Sequence, residues 1–231
     1  MRRARSDEEK LERRRVILDV ARAAYEENPS FASFTMSALA ERCGLAKGTM
    51  YLYFRTKEEV FLALIDARFT AWFDEIDAGL DEDGGEWTGA RGVEVLMRTT
   101  RRHTTLARLL SILGSVVEHN VPFEAALAFK RKTYARAAAT GERLERRLPF
   151  LAPGAGTRLL VWLHGLVIGF WQLHEPSETI RRIMQQPELE MGRLDFDRDL
   201  GALLGTLMRG MEAEAGLESE DGRRRTPAAR E

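Results

Sequence analysis

Residues 35–57 read TMSALAERCGLAKGTMYLYFRTK, and their pattern decides the fold. Thr35 is a suitable N-cap for a short helix whose apolar side chains, beginning with Met36, face inward. Gly44 can adopt the left-handed backbone conformation that ends such a helix and starts a tight turn. A second short helix, over 46–53, follows this turn at once. The stretch therefore predicts a helix-turn-helix.

The second of these helices has a polar side that suits the major groove of DNA. Met50 and Phe54 are expected to face the core, which leaves the opposite side to hydrogen-bond donors. Lys, Thr and Tyr side chains donate to phosphates and base edges, and Gly48 allows close approach of the backbone. The residues expected to face outward are Lys47, Gly48, Thr49, Tyr51 and Tyr53.

Helical spacing recurs along the rest of the chain, while strand signals are nearly absent. We therefore expect an all-α protein. The first helix should run from about residue 6 to residue 27 and end before Asn28-Pro29. Later helices are predicted at about 57–80, 90–117 with a break at Gly114, 122–147, 157–173 and 195–211.

Composition and charge narrow the class of protein. Hydrophobic residues make up 44% of the 231 and charged residues 31%, which excludes wholesale disorder. The 35 basic and 36 acidic side chains nearly cancel, but residues 1–57 hold 12 basic against 8 acidic ones. The lone Cys43 excludes an internal disulfide and is expected to pack in the turn. With no secretory leader and no apolar run of the roughly 18 residues that span a bilayer, a cytoplasmic protein is expected.

The stretch 14–64 resembles the amino-terminal signature of the TetR family of bacterial repressors. That signature combines an Ile-Leu-x-x-Ala helix, a Thr-capped helix, a Gly turn and a Lys-Gly-Thr-x-Tyr-x-Tyr-Phe segment followed by a Lys. Asn28-Pro29 departs from it, because the family has a glycine there and a slightly shorter loop. The matching residues are Ile17, Leu18, Ala21, Thr35, Gly44, Lys47, Gly48, Thr49, Tyr51, Tyr53, Phe54 and Lys57.

The resemblance implies a role for each residue of the DNA-binding stretch. Lys47 and Thr49 would contact bases or lie near them, and Gly48 would bring the backbone close to DNA. The basic arm MRRAR at 1–5 would either add DNA contacts or remain a solvated end. Phosphate contacts would come from Thr35, Tyr51, Tyr53 and Lys57, with Ser37 as a weaker candidate.

The resemblance also implies how the chain is divided. A three-helix helix-turn-helix DNA-binding domain would occupy residues 1–56 and open with a flexible basic arm at 1–6. An effector-binding and dimerising helical domain would occupy 57–213. A disordered polar tail would follow at 214–231.

Two apolar helices near the carboxyl end are candidates for a dimer interface built from two helices of each subunit. The alternative is that both helices are simply buried in the monomer. In a dimer, reading helices related by a twofold axis would meet half-sites roughly 34–36 Å apart along the duplex. The candidate interface residues are Leu160, Leu163, Val167, Leu200, Leu203, Leu204, Leu207 and Met211.

The helices between residues 58 and 174 carry many apolar and aromatic side chains with few polar anchors. Such a lining favours a hydrophobic or aromatic small molecule as the effector, although any single member could equally be a core residue. The candidate lining is Phe69, Trp72, Phe73, His103, Leu106, Leu110, Val117, Phe123, Phe129, Tyr134, Trp162, His164, Phe170 and Trp171.

The expected function is a ligand-responsive transcriptional regulator that is not an enzyme. In its simplest form it is a repressor that binds a palindromic DNA operator as a homodimer and is released by its effector. The alternatives are an activator of the same fold, or a ligand-binding or interaction module. No catalytic triad, carboxylate pair or cysteine arrangement is recognised, and the four histidines lack metal-ligand spacing. We therefore expect no catalytic residues, no metal and no cofactor.

Overall fold

The structure, a computed structural model, defines the backbone of residues 2–82 and 85–225 and the side chains of 8–82 and 85–216. Ten α-helices and no strand occur in these ranges, which confirms the expected all-α class. None of these helices is both long enough and apolar enough to cross a bilayer. The helices are α1 (Arg2–Glu27), α2 (Met36–Arg42), α3 (Lys47–Met50), α4 (Lys57–Asp81), α5 (Gly89–Arg102), α6 (Thr104–Ile112), α7 (Phe123–Arg147), α8 (Ala155–His174), α9 (Glu178–Ile183) and α10 (Phe196–Arg225).

Three shorter helical turns complete the described chain. A π-helical turn (Leu113–Val117) and a 3-10 turn (Glu118–Asn120) follow α6, at the position where the sequence predicts breaks. A second 3-10 turn (Pro187–Gly192) lies between α9 and α10.

Both ends of the chain are more helical than the sequence predicts. The arm expected to be flexible at 1–6 is part of α1 from Arg2 onward. The tail expected to be disordered from 214 is part of α10 as far as Arg225. Both segments contain three arginines, the tail also contains three glutamates, and both residue types have high helix propensity. Residues 1 and 226–231, and the side chains of the arm, lie outside the described residues.

Contacts between Cα atoms divide the chain into two compact units. The first unit joins residues up to 69 with 108–132, and the second joins 70–107 with the residues from 133 onward. Helices α4 and α7 each contribute to both units. The residues of α6 are likewise divided between the units. The division at 56–57 into a DNA-binding and an effector-binding domain stays a prediction.

An aromatic cluster on α4 forms the centre of the first unit. The buried ring of Phe61 meets the rings of Tyr25, Phe31 and Phe34 nearly edge-on, with centroids 4.8–5.2 Å apart. Each such pair stabilises the fold by roughly 0.5–1.5 kcal/mol beyond the burial of its area. Ile17 of α1 is also fully buried.

In the second unit, α7 and α8 cross closely at a pair of glycines. A Cβ atom on Gly156 would collide with the carbonyl group of Gly141, and one on Gly141 would collide with the backbone of Thr157. The Gly156 N–H donates to the Glu145 carboxylate at 2.9 Å. The two backbones touch here because neither glycine carries a side chain.

Ion pairs join the carboxyl half of α4 to α7 within the second unit. Arg136 donates to Asp74 and Asp77 at 2.7 and 2.8 Å. About two turns further along α7, Arg143 pairs with Asp77 and Asp81. Asp77 is mostly buried and shared by both arginines, so the pairs form a network that fixes the register of the two helices.

Candidate nucleic-acid interface

The connection between α2 and α3 has the geometry of a helix-turn-helix. Thr35 caps α2, and its hydroxyl oxygen accepts the Ala38 N–H at 3.2 Å. Gly44 has a φ of 63°, the left-handed conformation that the turn requires. The Leu45 N–H then donates to the carbonyl oxygen of Ala40 at 2.9 Å and closes the turn. The Thr35 hydroxyl thus stabilises the fold in addition to any contact with phosphate.

Helix α3 is shorter than the sequence predicts. It spans Lys47–Met50 rather than 46–53. The carbonyl oxygen of Met50 accepts from both Tyr53 and Phe54 N–H, at 3.0 and 3.1 Å, which tightens the following turn. The guanidinium of Arg14 covers the ring of Phe54 at 4.2 Å from its centroid. Residues 47–54 therefore keep a helical course that α1 supports from the core side.

The side of this segment that points away from the core forms the candidate interface, named here the reading face. Met50 and Phe54, on the opposite side, are only 0% and 1% exposed. All five residues predicted to face outward are exposed or half-buried, and Ser37 of α2 is exposed as well. The reading face consists of Lys47, Gly48, Thr49, Tyr51, Leu52 and Tyr53.

Leu52 is the member of the reading face that the sequence prediction misses. Its side chain is 83% exposed. It lies midway between Met50 and Phe54, whose buried side chains define the core side. This register is visible in the sequence and would have identified the residue, but a leucine is usually taken for core.

Gly48 is not explained by packing within the chain. Its φ is not positive, and a Cβ atom built on it would meet no atom of the described structure within 4 Å. Gly44, by contrast, needs its glycine for the turn. The surface at Gly48 is therefore open to a partner that approaches the backbone closely.

The loop over 28–34, where the sequence departs from the TetR signature, is held by α4. The Lys57 ammonium donates to the carbonyl oxygen of Phe31 at 3.0 Å. Within the loop, the Asn28 side-chain amide donates to Ser33 Oγ at 3.2 Å. A phosphate contact by Lys57 would have to use the ammonium hydrogens that Phe31 leaves open.

The described residues show no arrangement typical of a metal site. No group of three His, Cys, Asp or Glu side chains in that part of the chain could hold a metal ion. Cys43 is half-buried in the turn, as expected of a packing residue, and burial raises the pKa of its thiol. A raised pKa disfavours the reactive thiolate.

The fourteen candidate effector residues differ in burial. Phe123, Tyr134 and Trp162 are exposed, so they do not line a closed pocket in this structure. His103, His164 and Phe170 are half-buried. The buried members are Phe69, Leu110, Val117 and Phe129 in the first unit and Trp72, Phe73, Leu106 and Trp171 in the second.

An open cleft of about 870 Å³ lies in the second unit, at the start of α8. Its lining includes residues 149–153, then Ala155, Arg158 and Trp162 of α8, and Met211 of α10. Trp162 is the candidate effector residue that it contains, and Met211 is a candidate dimer residue. The cleft therefore adjoins the surface predicted for the dimer and is not formed by the buried aromatic residues.

The eight candidate dimer residues separate into two groups. Leu203, Leu207 and Met211 are half-buried and recur at four-residue spacing along α10. On α8, Val161 and Trp162 add apolar surface at 40% and 42% exposure. The other five candidates are buried within the single chain, as the alternative of monomer burial expects: Leu160, Leu163, Val167, Leu200 and Leu204.

The chain was compared with solved structures and with curated proteins. The solved structures that it resembles include a SmeT–triclosan complex, at 21% identity over 85% of this chain and 89% of that one, with a TM-score of 0.47. They also include GusR of Salmonella enterica, at 19% identity over 88% of this chain and 96% of that one, again with a TM-score of 0.47. No match is found among curated proteins.

Two family models cover the first and the second part of the sequence. The model described as "Bacterial regulatory proteins, tetR family" matches residues 17–64, the stretch that contains the helix-turn-helix. The model described as "Tetracyclin repressor-like, C-terminal domain" matches residues 66–215, well over half of the chain. The protein therefore belongs to the TetR family of bacterial regulatory proteins.

Proposed function

We propose that this regulator is a repressor that binds a palindromic operator as a homodimer through the reading face and is released by a hydrophobic or aromatic effector. The proposal rests on Gly48, which is exposed on the reading face and has no packing role within the described structure. Family membership makes it a DNA-binding regulator. The reading face supplies the surface with which it would bind.

The stability that a glycine costs the helix at position 48 indicates contact with an external partner. A glycine inside a helix destabilises it by roughly 0.5–1 kcal/mol relative to alanine. Alanine would fit at Gly48, so the described structure offers nothing to offset this cost. A DNA backbone or base edge that approaches within van der Waals distance would explain it, because a Cβ atom would then hold the two surfaces apart.

The neighbours of Gly48 supply the polar chemistry of DNA binding. Lys47 and Tyr51 are exposed and one helical turn apart, with an ammonium and a hydroxyl that can donate to phosphates or base edges. Thr49 and Tyr53 add two further hydroxyls at half-buried positions. The reading face thus combines one cation with three hydroxyl groups around an open backbone.

A second copy of the chain is the proposed partner of the apolar strip on α10. Leu203, Leu207 and Met211 leave part of their apolar surface in water, as do Val161 and Trp162 on the neighbouring α8. Burial against the same strip of another subunit would create a twofold interface. Two reading faces would then meet two half-sites of a palindrome.

The effector is proposed to bind in the second unit near the aromatic part of α4. Trp72 and Phe73 are buried there with their ring centroids 5.4 Å apart. The same helix begins at Lys57, whose ammonium holds the loop before α2. A shift of α4 on effector binding would alter the spacing of the two reading faces, and coupling of about 1–3 kcal/mol is typical of such switches.

Selection of DNA by the purified full-length protein tests the central claim. A library of random duplexes should yield an inverted repeat, whose affinity is then measured by fluorescence anisotropy at several salt concentrations. Lys47→Ala combined with Tyr51→Phe should weaken binding by at least about tenfold, and binding should depend steeply on salt. Unchanged affinity of the double variant, or a flat salt response, would contradict the proposal.

Lys130→Ala is the matched control, because it removes a lysine of the first unit that pairs with Glu118 and is not part of the reading face. Its affinity should equal that of the wild type. A reporter gene behind the selected operator then separates the alternatives: expression falls when the protein is supplied if it is a repressor and rises if it is an activator. A protein that enriches no sequence would be a ligand-binding or interaction module.

A panel of small aromatic compounds tests the effector. A true effector should raise the thermal midpoint of unfolding and release the selected duplex at the same concentrations. Compounds that stabilise the protein without changing its affinity for DNA would contradict the proposed coupling.

A further inference from the structure

We infer that Leu52 reads the 5-methyl group of a thymine in the major groove, an inference that rests on the proposed DNA-binding function. Leu52 is 83% exposed and is the one aliphatic side chain of the reading face. A leucine so exposed gives up the free energy of burying its side chain in the protein. Burial against a partner would recover it.

The position of Leu52 determines which part of the partner it would meet. Met50 and Phe54 are buried on the core side, and Leu52 points away from both. Gly48, which also belongs to the reading face, lies four residues earlier and has no side chain. Because nothing in the described structure fills the space around Gly48, a base edge can enter beside Leu52. An exposed side chain of the reading face is placed to enter the groove that the face would meet.

The chemistry of the base edges then selects thymine. In the major groove, adenine, guanine and cytosine present hydrogen-bonding groups, and thymine alone presents a methyl group beside its O4 acceptor. Leu52 can neither donate nor accept a hydrogen bond. Placed against cytosine it would remove water from the N4 amino group without replacing the hydrogen bond. We therefore expect a preference for thymine at one position of each half-site, conferred by Leu52 and by no polar residue of the face.

The size of this preference follows from the methyl group. Burial of one methyl should strengthen binding about fourfold per half-site. A dimer that contacts both halves of a palindrome should therefore lose roughly 15-fold when both methyl groups are removed, provided that the half-sites contribute independently.

Deoxyuridine removes the methyl group and changes nothing else, so it is the sharpest probe. Each thymine of the selected duplex is replaced in turn, symmetrically in both half-sites, and affinity is measured by anisotropy with the full-length protein. For the wild type, one thymine position should show the loss of roughly 15-fold and the others little change. For Leu52→Ala, that same replacement should have no effect, because the contact is already gone.

Leu52→Met is the matched variant, because it keeps an apolar side chain of similar reach. It should retain most of the sensitivity to deoxyuridine at that position. Because Leu52 is so exposed, both variants should fold, and circular dichroism checks this. In a second selection, Leu52→Ala should accept cytosine where the wild type requires thymine.

Two results would overturn the inference in distinguishable ways. If the wild type binds its selected operator but tolerates deoxyuridine at every position, or if Leu52→Ala keeps the full sensitivity, Leu52 does not read a methyl group and the DNA-binding proposal stands. If the library enriches no sequence at all, the proposed function fails and the inference fails with it.

Discussion

Lys57 binds Phe31 in two ways: its ammonium donates to the carbonyl oxygen at 3.0 Å and lies 4.1 Å from the centroid of the ring. The same ring meets Phe61 nearly edge-on at 4.8 Å. A residue that the family resemblance assigns to phosphate contact therefore also joins the loop before α2 to the core of the first unit. The unusual Asn28-Pro29 loop needs this anchor, because its own hydrogen bonds are few and exposed.

Replacing Lys57 by Met should show how much this anchor contributes. Methionine keeps an apolar stem of similar length but loses the hydrogen bond and the cation over the ring. The free energy of unfolding should fall by about 1–2 kcal/mol, measured by urea denaturation. Lys132→Met, which breaks an exposed pair with Asp66, should change it by less than about 0.5 kcal/mol. Equal stability of the two variants would show that the Phe31 contact is not structural.

Gly48→Ala separates folding from DNA binding. A Cβ atom fits at this position, and alanine favours the helix, so the free energy of unfolding should stay the same or rise by up to about 1 kcal/mol. Affinity for the selected operator should nevertheless fall at least about tenfold, because the added methyl blocks close approach of the backbone. A variant that is both stable and fully active would remove the main support for the reading face.

Gly156→Ala tests the close crossing of α7 and α8. The new Cβ atom would overlap the backbone carbonyl of Gly141, which cannot move aside as a side chain could. The free energy of unfolding should fall by about 1–3 kcal/mol, the usual cost of an overpacked core. Gly210→Ala on α10 is the control, because nothing lies within 4 Å of its Cβ position and it should be neutral or slightly stabilising. The opposite order of stability would contradict the observed packing.

The sequence predicts helix caps, turn residues and helix bounds well. Thr35 as a cap and Gly44 as a left-handed turn residue are confirmed, because each role depends only on neighbours within a few positions. The helix bounds at Lys57 and Arg147 are likewise set by nearby residues. The arm is the exception, since composition alone does not decide whether a charged end extends the helix that follows it.

Contacts between distant segments could not be read from the sequence. Nothing near Gly156 or Gly141 shows that the two glycines touch. On α10, Leu200 and Leu204 are buried in the chain while Leu203 and Leu207 keep exposed surface, although all four fit an apolar helix face. Only the packing of α10 on α5 and α8 decides which side is the core.

Glu75 should make the stability of the second unit depend on pH. Burial raises the pKa of Glu75, but hydrogen bonds from Arg102 and His103 outweigh it and hold the pKa below its ordinary value. A depressed pKa contributes stability that is present above the unfolded value of about 4.3 and is lost as the pH falls through the folded value.

At pH 7 the Glu75→Gln variant should therefore have a lower free energy of unfolding than the wild type. The difference in free energy should shrink as the pH falls below about 4. Urea denaturation between pH 3 and pH 7 measures it. Glu212→Gln is the control at an exposed position of the same unit and should follow the wild type throughout. A difference that grows on acidification would show that Glu75 is not stabilised in its charged form.

Leu207→Glu tests the apolar strip of α10 as the dimer interface. Leu207 is half-buried in the single chain, so a carboxylate at this position can still reach water in the monomer. In the proposed dimer, the carboxylate would lose water and lie beside the same carboxylate of the second subunit. The dissociation constant of the dimer should therefore rise at least about a hundredfold, as measured by sedimentation equilibrium over a range of concentrations. Ala202→Glu carries the same charge on an exposed position of α10 and should remain dimeric. Because two half-sites require two reading faces, Leu207→Glu should also lose most of its affinity for the palindrome while keeping its helical content. If the Leu207→Glu variant stays dimeric, the interface lies elsewhere on the second unit.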